Sequence, residues 1–206
     1  MTIRAVFFDF GGVILSSPFE AFAHYEAEHD LPDGFIRRLN STNPDTNAWA
    51  RLERNEVNVD GFAELFEAEA GAAGHTLDAH QVLALLAGEL RPEMAEAVRR
   101  CSARLVTALL TNNVVGMDRD RHFGDLLDLF DPIVESSKVG VRKPDPRFYE
   151  MACDLADVAP AEVVFLDDLG INLKPARAMG MTTIKVTDPA VALAELEAVV
   201  GFALAG

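Results

Sequence analysis

Cysteine is nearly missing from this chain. Two occur in 206 residues, Cys101 and Cys153, with no Cys-x-x-Cys spacing. That excludes a disulfide-stapled scaffold and a thiolate zinc site, and it points to a reducing compartment, the cytoplasm. The histidines form no zinc pair either. His24/His29 and His75/His80 are each five apart, not the four that would put both rings on one helix face. Long apolar runs are also missing, and a bilayer-spanning helix needs about 20 such residues. Positive charge is in short supply. Lys and Arg number 18 against 33 Asp and Glu, for a net charge of −15, which argues against nucleic acid or an anionic membrane as partner. The opening "MTIRAVFFDF" has no small-residue cleavage site and reads as a first strand rather than a signal peptide.

Strand signals are absent from 18–100. Helical periodicity fills that stretch instead, in "PFEAFAHYEAEHDLP", "NAWARLERNEV", "NVDGFAELFEAEAGAAG", "TLDAHQVLALLAGEL" and "RPEMAEAVRRC". Asn58 or Asp60 starts the third of these, and Pro92 suits a first helical position. Buried strands are predicted at 3–9, 105–112, 131–136, 162–168 and in "TTIKV", with helices between them. Strands alternating with helices give an α/β fold with a parallel sheet. The helical stretch 17–96 is then an insertion after the first strand, and residues 1–16 and 97–206 form the sheet-containing core.

Ligands of an open parallel sheet bind at the carboxyl ends of its strands. The first strand ends in Asp9, the second in Thr111, Asn112 and Asn113, and the fourth in Asp167 and Asp168. "SSKVGVRKPDP" brings Lys143 before a helix opened by Asp145 and Pro146. An ionised Asp beside the apolar run "AVFFDFGGV" is costly without a partner. Converging carboxylates repel and push one another's pKa values up. A Mg²⁺ ion resolves both problems, since it takes carboxylate, water and phosphate oxygens. Gly11 and Gly12 let backbone N–H groups approach an anion closely. This set serves phosphoryl transfer to a carboxylate nucleophile. The bland alternatives are an N-capping Asp167–Asp168 turn, a strand-ending Thr111 and a helix-packing Trp49.

"FFDFGGV", "LLTNN", "VGVRKPDPRFY" and "VFLDDLGINLKPARAMGM" resemble the four motifs of the haloacid dehalogenase (HAD) superfamily, in order. The chain is similar to the N-terminal phosphatase-type domain of soluble epoxide hydrolase, and "WARLERNEV" resembles part of its first-type helical cap. The resemblance implies a Rossmann-like HAD core with an inserted α-helical cap. It also implies a hydrolase acting on a small phosphorylated metabolite through an aspartyl-phosphate. Asp9 matches the nucleophile and a Mg²⁺ ligand. Gly11 matches a residue whose carbonyl binds the metal. Thr111 matches the phosphate-binding hydroxyl, Asn112 a residue lining the phosphate pocket, and Lys143 the lysine of the third motif. Asp168 matches a metal ligand, with Asp167 its direct or water-mediated partner.

One position departs from the pattern. Phosphatases of this superfamily usually carry Asp, the general acid and base, where this chain has Gly11. The resemblance therefore implies a slow phosphatase or one with another acid. Two alternatives stand beside it: a 2-haloacid dehalogenase, and a non-catalytic ligand-binding member. The acidic pair Asp167–Asp168 favours the phosphatase over the metal-free dehalogenase.

Overall fold

The computed structural model describes residues 2–115 and 120–204. Five parallel strands form its sheet: β1 (Ala5–Phe8), β2 (Val106–Thr111), β3 (Ile133–Glu135), β4 (Val163–Asp167) and β5 (Thr182–Lys185). Their order is β3-β2-β1-β4-β5. The chain steps outward from β1 to β3, then crosses back to β4 on the other side. β1 and β4 therefore flank the switch point, where a crevice opens at the strand ends.

Alternation along β1 builds both faces. Val6 and Phe8 join an apolar cluster with Met94, Val98, Leu126 and Leu196, supplied by α6 (Pro92–Ser102), α7 (Asp120–Leu127) and α11 (Pro189–Val200). Ala5 and Phe7 join the opposite cluster with Phe148, Tyr149 and Leu173, from α9 (Pro146–Ala156) and α10 (Gly170–Ala178). Strands buried on both faces read as unbroken apolar runs, which is why 3–9 and 162–168 stand out in the sequence.

A separate apolar cluster is made by α1 (Phe19–Glu28), α2 (Phe35–Ser41), α3 (Ala48–Glu53), α4 (Val59–Ala72) and α5 (Ala79–Ala84). Val114, just past β2, packs into it. α6 packs on the sheet from Met94 onward. Asn58 caps α4 through Gly61 N, as its sequence position predicts. α2 has no such signal. Its entry residue, Gly34, has φ 69° and no side chain to cap with. Glu26 of α1, 2% exposed, supplies the cap by accepting from Gly34 N at 2.6 Å and Ile36 N at 2.8 Å. The four-residue α8 (Ser136–Val139) also lies outside the predicted helices. Among the described residues, no helix is long and apolar enough to cross a membrane.

Candidate active site

The site begins where β1 stops. Asp9 N–H still bonds to Leu166 O, at 2.9 Å. Its carboxylate then turns back on the chain, and Oδ1 accepts from Phe10 N at 2.7 Å. A π-type turn, Phe10–Ile14, follows. The two glycines in it have different reasons. Gly12 has φ 76°, and a Cβ there would sit 2.3 Å from Asp168 Oδ2. Only glycine fits. Gly11 has an ordinary φ of −69°, and a Cβ would meet nothing within 4 Å. Gly12→Ala should cost ~1–3 kcal/mol in backbone strain and push Asp168 aside. The expected result is a lower melting temperature. A variant with the wild-type melting temperature would contradict the close approach.

Lys143 is 1% exposed. Its Nζ lies 2.9 Å from Asp9 Oδ1 and 2.7 Å from Asp167 Oδ2. Its backbone is gripped from β2, since Asn112 Oδ1 accepts from Lys143 N at 2.9 Å and Asn112 Nδ2 donates to Lys143 O at 3.1 Å. Asp167 is buried and well partnered. Besides Lys143 it accepts from Leu169 N at 2.8 Å and from Asn172 Nδ2 at 3.0 and 3.1 Å. The Tyr149 hydroxyl holds Asn172 in turn, donating to its carbonyl at 2.7 Å. Asp9, Asp167 and Asp168 each present an oxygen within 4.8 Å of the others.

Burial is the largest influence on these charges. It pushes the Asp9 carboxyl well above its usual range, and the Asp167 and Asp168 charges add to the rise while Lys143 opposes it. Burial and Asp167 likewise push Asp168 up to about 6, against Lys143 and Arg91. For Lys143, burial acts downward, and the Asp167 and Asp9 charges outweigh it, so its pKa is raised. The ammonium is therefore firmly charged, while Asp9 and Asp168 remain short of neutralising charge. Oxygen donors crowded and under-neutralised in this way suit a hard divalent cation.

The structure brings Asp9, Lys143, Asp167 and Asp168 together, with Gly11 and Gly12 in the adjoining turn. Thr111 ends β2, buried. The Asn112 side chain faces the Lys143 backbone rather than standing open. Asn113 is likewise engaged, donating to Glu135 Oε1 at 2.7 Å and accepting from Ser137 Oγ at 2.7 Å. Trp49 is packed among Phe62 and Phe66 in the helical cluster. Both cysteines are buried, and burial pushes their thiols to about 12 for Cys101 and, with a contribution from Asp154, about 11 for Cys153. Neither is an activated nucleophile. Sequence reasoning missed Arg91, whose Nη1 donates to Gly12 O at 2.7 Å and Val13 O at 3.3 Å. Nothing local marks it, because its partners lie far away in the chain. Asn172 was missed too, although an Asn on the buried side of a helix was a usable signal.

A sequence family described as haloacid dehalogenase-like hydrolase matches residues 3–180. Acyl-CoA dehydrogenase family member 10 of Mus musculus is 35% identical over 98% of the chain, which spans 19% of that protein. Bifunctional epoxide hydrolase 2 of Sus scrofa is 33% identical over 99% of the chain, which spans 40% of it. The chain thus covers well under half the length of these two relatives. Sesquiterpene phosphatase astK of Aspergillus oryzae is 30% identical over 97% of the chain and 98% of its own length. Among solved structures, an enzyme of the same family from Bacteroides thetaiotaomicron, in complex with magnesium and inorganic phosphate, superposes with TM-score 0.61. It is 17% identical and covers 89% of this chain and 93% of its own. An L-2-haloacid dehalogenase from Xanthobacter autotrophicus gives TM-score 0.64 at 21% identity, over 96% of this chain and 83% of its own. At these identities the two structures bear on the fold alone.

Proposed function

Because the chain belongs to the haloacid dehalogenase-like hydrolase family, we propose that it is a Mg²⁺-dependent phosphomonoester hydrolase working through an aspartyl-phosphate on Asp9. One observation carries the reading: Asp9 is clamped by Lys143 beside an Asp168 whose charge is under-neutralised. Lys143 and Phe10 N both engage Asp9 Oδ1, which leaves Oδ2 to attack phosphorus. The ester oxygen departs as that bond forms, and water later cleaves the aspartyl-phosphate. Lys143 favours the ionised form of the nucleophile against its burial and adds positive charge beside the phosphoryl group.

Asp9 and Asp168 would hold the metal. Asp167 is fully occupied by Lys143, Leu169 and Asn172, and its part is to fix the ammonium. Mg²⁺, when bound, supplies neutralising charge for the phosphoryl oxygens. Gly11 offers no proton, so the leaving group takes its proton from water and turnover is slow. The helices α1–α5 act as a cap that excludes bulk water and selects a small phosphorylated metabolite, in the cytoplasm.

Phosphate release from a panel of phosphomonoesters tests this. Release should require Mg²⁺ and stop with chelator. Metal-independent chloride release from 2-chloropropionate, with no phosphate release, would overturn the reading in favour of a dehalogenase. The metal also has a pH signature. A carboxyl raised to about 6 in the folded state stabilises the metal-free fold fully only below its unfolded value near 3.8, and that contribution is lost as pH rises through about 6. Above pH 6 Asp168 is ionised and ready for a cation, whereas below it Mg²⁺ must displace a proton. The Mg²⁺-induced rise in melting temperature should therefore be larger at pH 7.5 than at pH 5. Equal shifts at both would argue against Asp168 as a ligand.

A further inference from the structure

The five-helix group is joined to the sheet by two chain crossings that lie side by side. Leu15 and Leu90 form an antiparallel bridge. Ser16 N bonds to Glu89 O at 2.8 Å, Arg91 N to Ile14 O at 2.9 Å, and Glu89 N to Ser16 Oγ at 3.0 Å. A Cβ on Gly88 would stand 2.8 Å from Ser16 O. Arg91 ties this paired ribbon to the carbonyls of Gly12 and Val13 in the Asp9 turn.

A second attachment involves different residues. Glu53 ends α3, and Pro44 lies just before that helix begins. Both reach the residue next to Lys143. Arg142 Nε lies 2.6 Å from Glu53 Oε2, and Arg142 Nη1 donates to Pro44 O at 2.8 Å. The charge of Lys143 also acts on Glu53, which places this contact near the catalytic ammonium. We propose that the Glu53–Arg142 pair is a releasable latch. It fastens the helical group to the segment carrying Lys143, so that seating of the helices and placement of the ammonium against Asp9 are coupled.

Two features make it a latch and not a strut. Burial raises the Glu53 carboxyl even though Arg142 opposes the rise, so desolvation offsets much of the attraction. Both side chains are only partly enclosed, and a partly desolvated pair of that kind is close to break-even and can open. The two charged atoms are in ionic contact without an aligned hydrogen bond, whereas the bond from Arg142 to Pro44 O fixes direction. Lys143 is thus held from two sides: through its backbone by Asn112, the residue just past β2, and through the chain by its neighbour Arg142. Glu53 and Arg142 are positioning residues. They act on Lys143, not on the substrate.

The latch rests on the hydrolase reading only for its effect on turnover, so the test has two readouts. Hydrogen exchange is followed across 139–145 and α3 in the whole chain, for wild type and Glu53→Gln. Both segments should exchange about tenfold faster in the variant, while β1 and β4 keep their protection. With a phosphomonoester that wild type hydrolyses, kcat should fall by a similar factor, because Lys143 is misplaced in the bound state. A variant that merely packs badly would lose protection across α1–α5 without reaching 139–145. Wild-type protection of 139–145 in Glu53→Gln overturns the proposal. If Glu53→Gln does not fold, Arg142→Lys gives the same readout, since it keeps the charge and loses the guanidinium geometry. If wild type releases phosphate from no ester, the hydrolase reading fails and the exchange result alone decides the latch.

Discussion

Asp9→Asn should abolish phosphate release, with a loss of about 10⁴-fold or more, the scale at which removing a nucleophile leaves only residual binding effects. The substitution is nearly isosteric. Asn Oδ1 can still accept from Phe10 N and Lys143, whose ammonium keeps its 2.7 Å contact with Asp167. No cavity forms and no buried cation is orphaned. Folding should not suffer either, because burial already disfavours the ionised form of Asp9. Linkage gives the sign. A carboxyl raised in the folded state costs stability once the pH exceeds its unfolded value, and removing the charge removes that cost. The metal-free variant should melt at or above the wild-type temperature at pH 7.5, with a reduced Mg²⁺ shift. Dead enzyme with an intact melting curve separates chemistry from folding. Retention of more than about one hundredth of wild-type turnover would exclude Asp9 as the nucleophile.

Residues that act through their own strand or turn were legible in the sequence. Asp9, Asp167 and Asp168 stand at the ends of apolar runs, and parallel strands expose those ends together. Lys143 was legible from the Pro-Asp-Pro turn after it. Residues that act across the fold were not. Glu26 caps α2 from another helix, so the start of α2 carries no capping residue of its own. Asn112 read as a pocket residue because of its place after Thr111. Only the tertiary fold shows its amide facing the Lys143 backbone. The resemblance made Asp168 the metal ligand and Asp167 its direct or water-mediated partner, without saying what else Asp167 touches. The strand direction turns Asp167 inward to Lys143 and Asn172 and Asp168 toward Gly12. The backbone adds a further difference between the two glycines: Gly12 is required by geometry, and Gly11 is open.

That openness sets up the second large effect. Gly11→Asp should raise turnover by about 10²–10⁴-fold, the usual worth of a positioned general acid and base. The position tolerates the change. Its φ of −69° and ψ of 134° are ordinary, and a Cβ meets nothing within 4 Å. The new carboxyl would project from the turn that also carries Asp9. A neighbouring carboxylate raises a carboxyl's pKa, which suits a group that must donate a proton at neutral pH. The gain should depend on the leaving group. An alkyl alcohol leaves poorly unless protonated, whereas p-nitrophenolate leaves readily as an anion. Gly11→Asp should therefore raise kcat for alkyl phosphates far more than for p-nitrophenyl phosphate. Both are measured at saturating Mg²⁺, so that any tighter metal binding drops out. A large and equal gain on both substrates would point to metal or phosphate binding as the limiting factor. No gain on either would mean that the chain already recruits its proton from elsewhere, and that Gly11 is no defect in its chemistry.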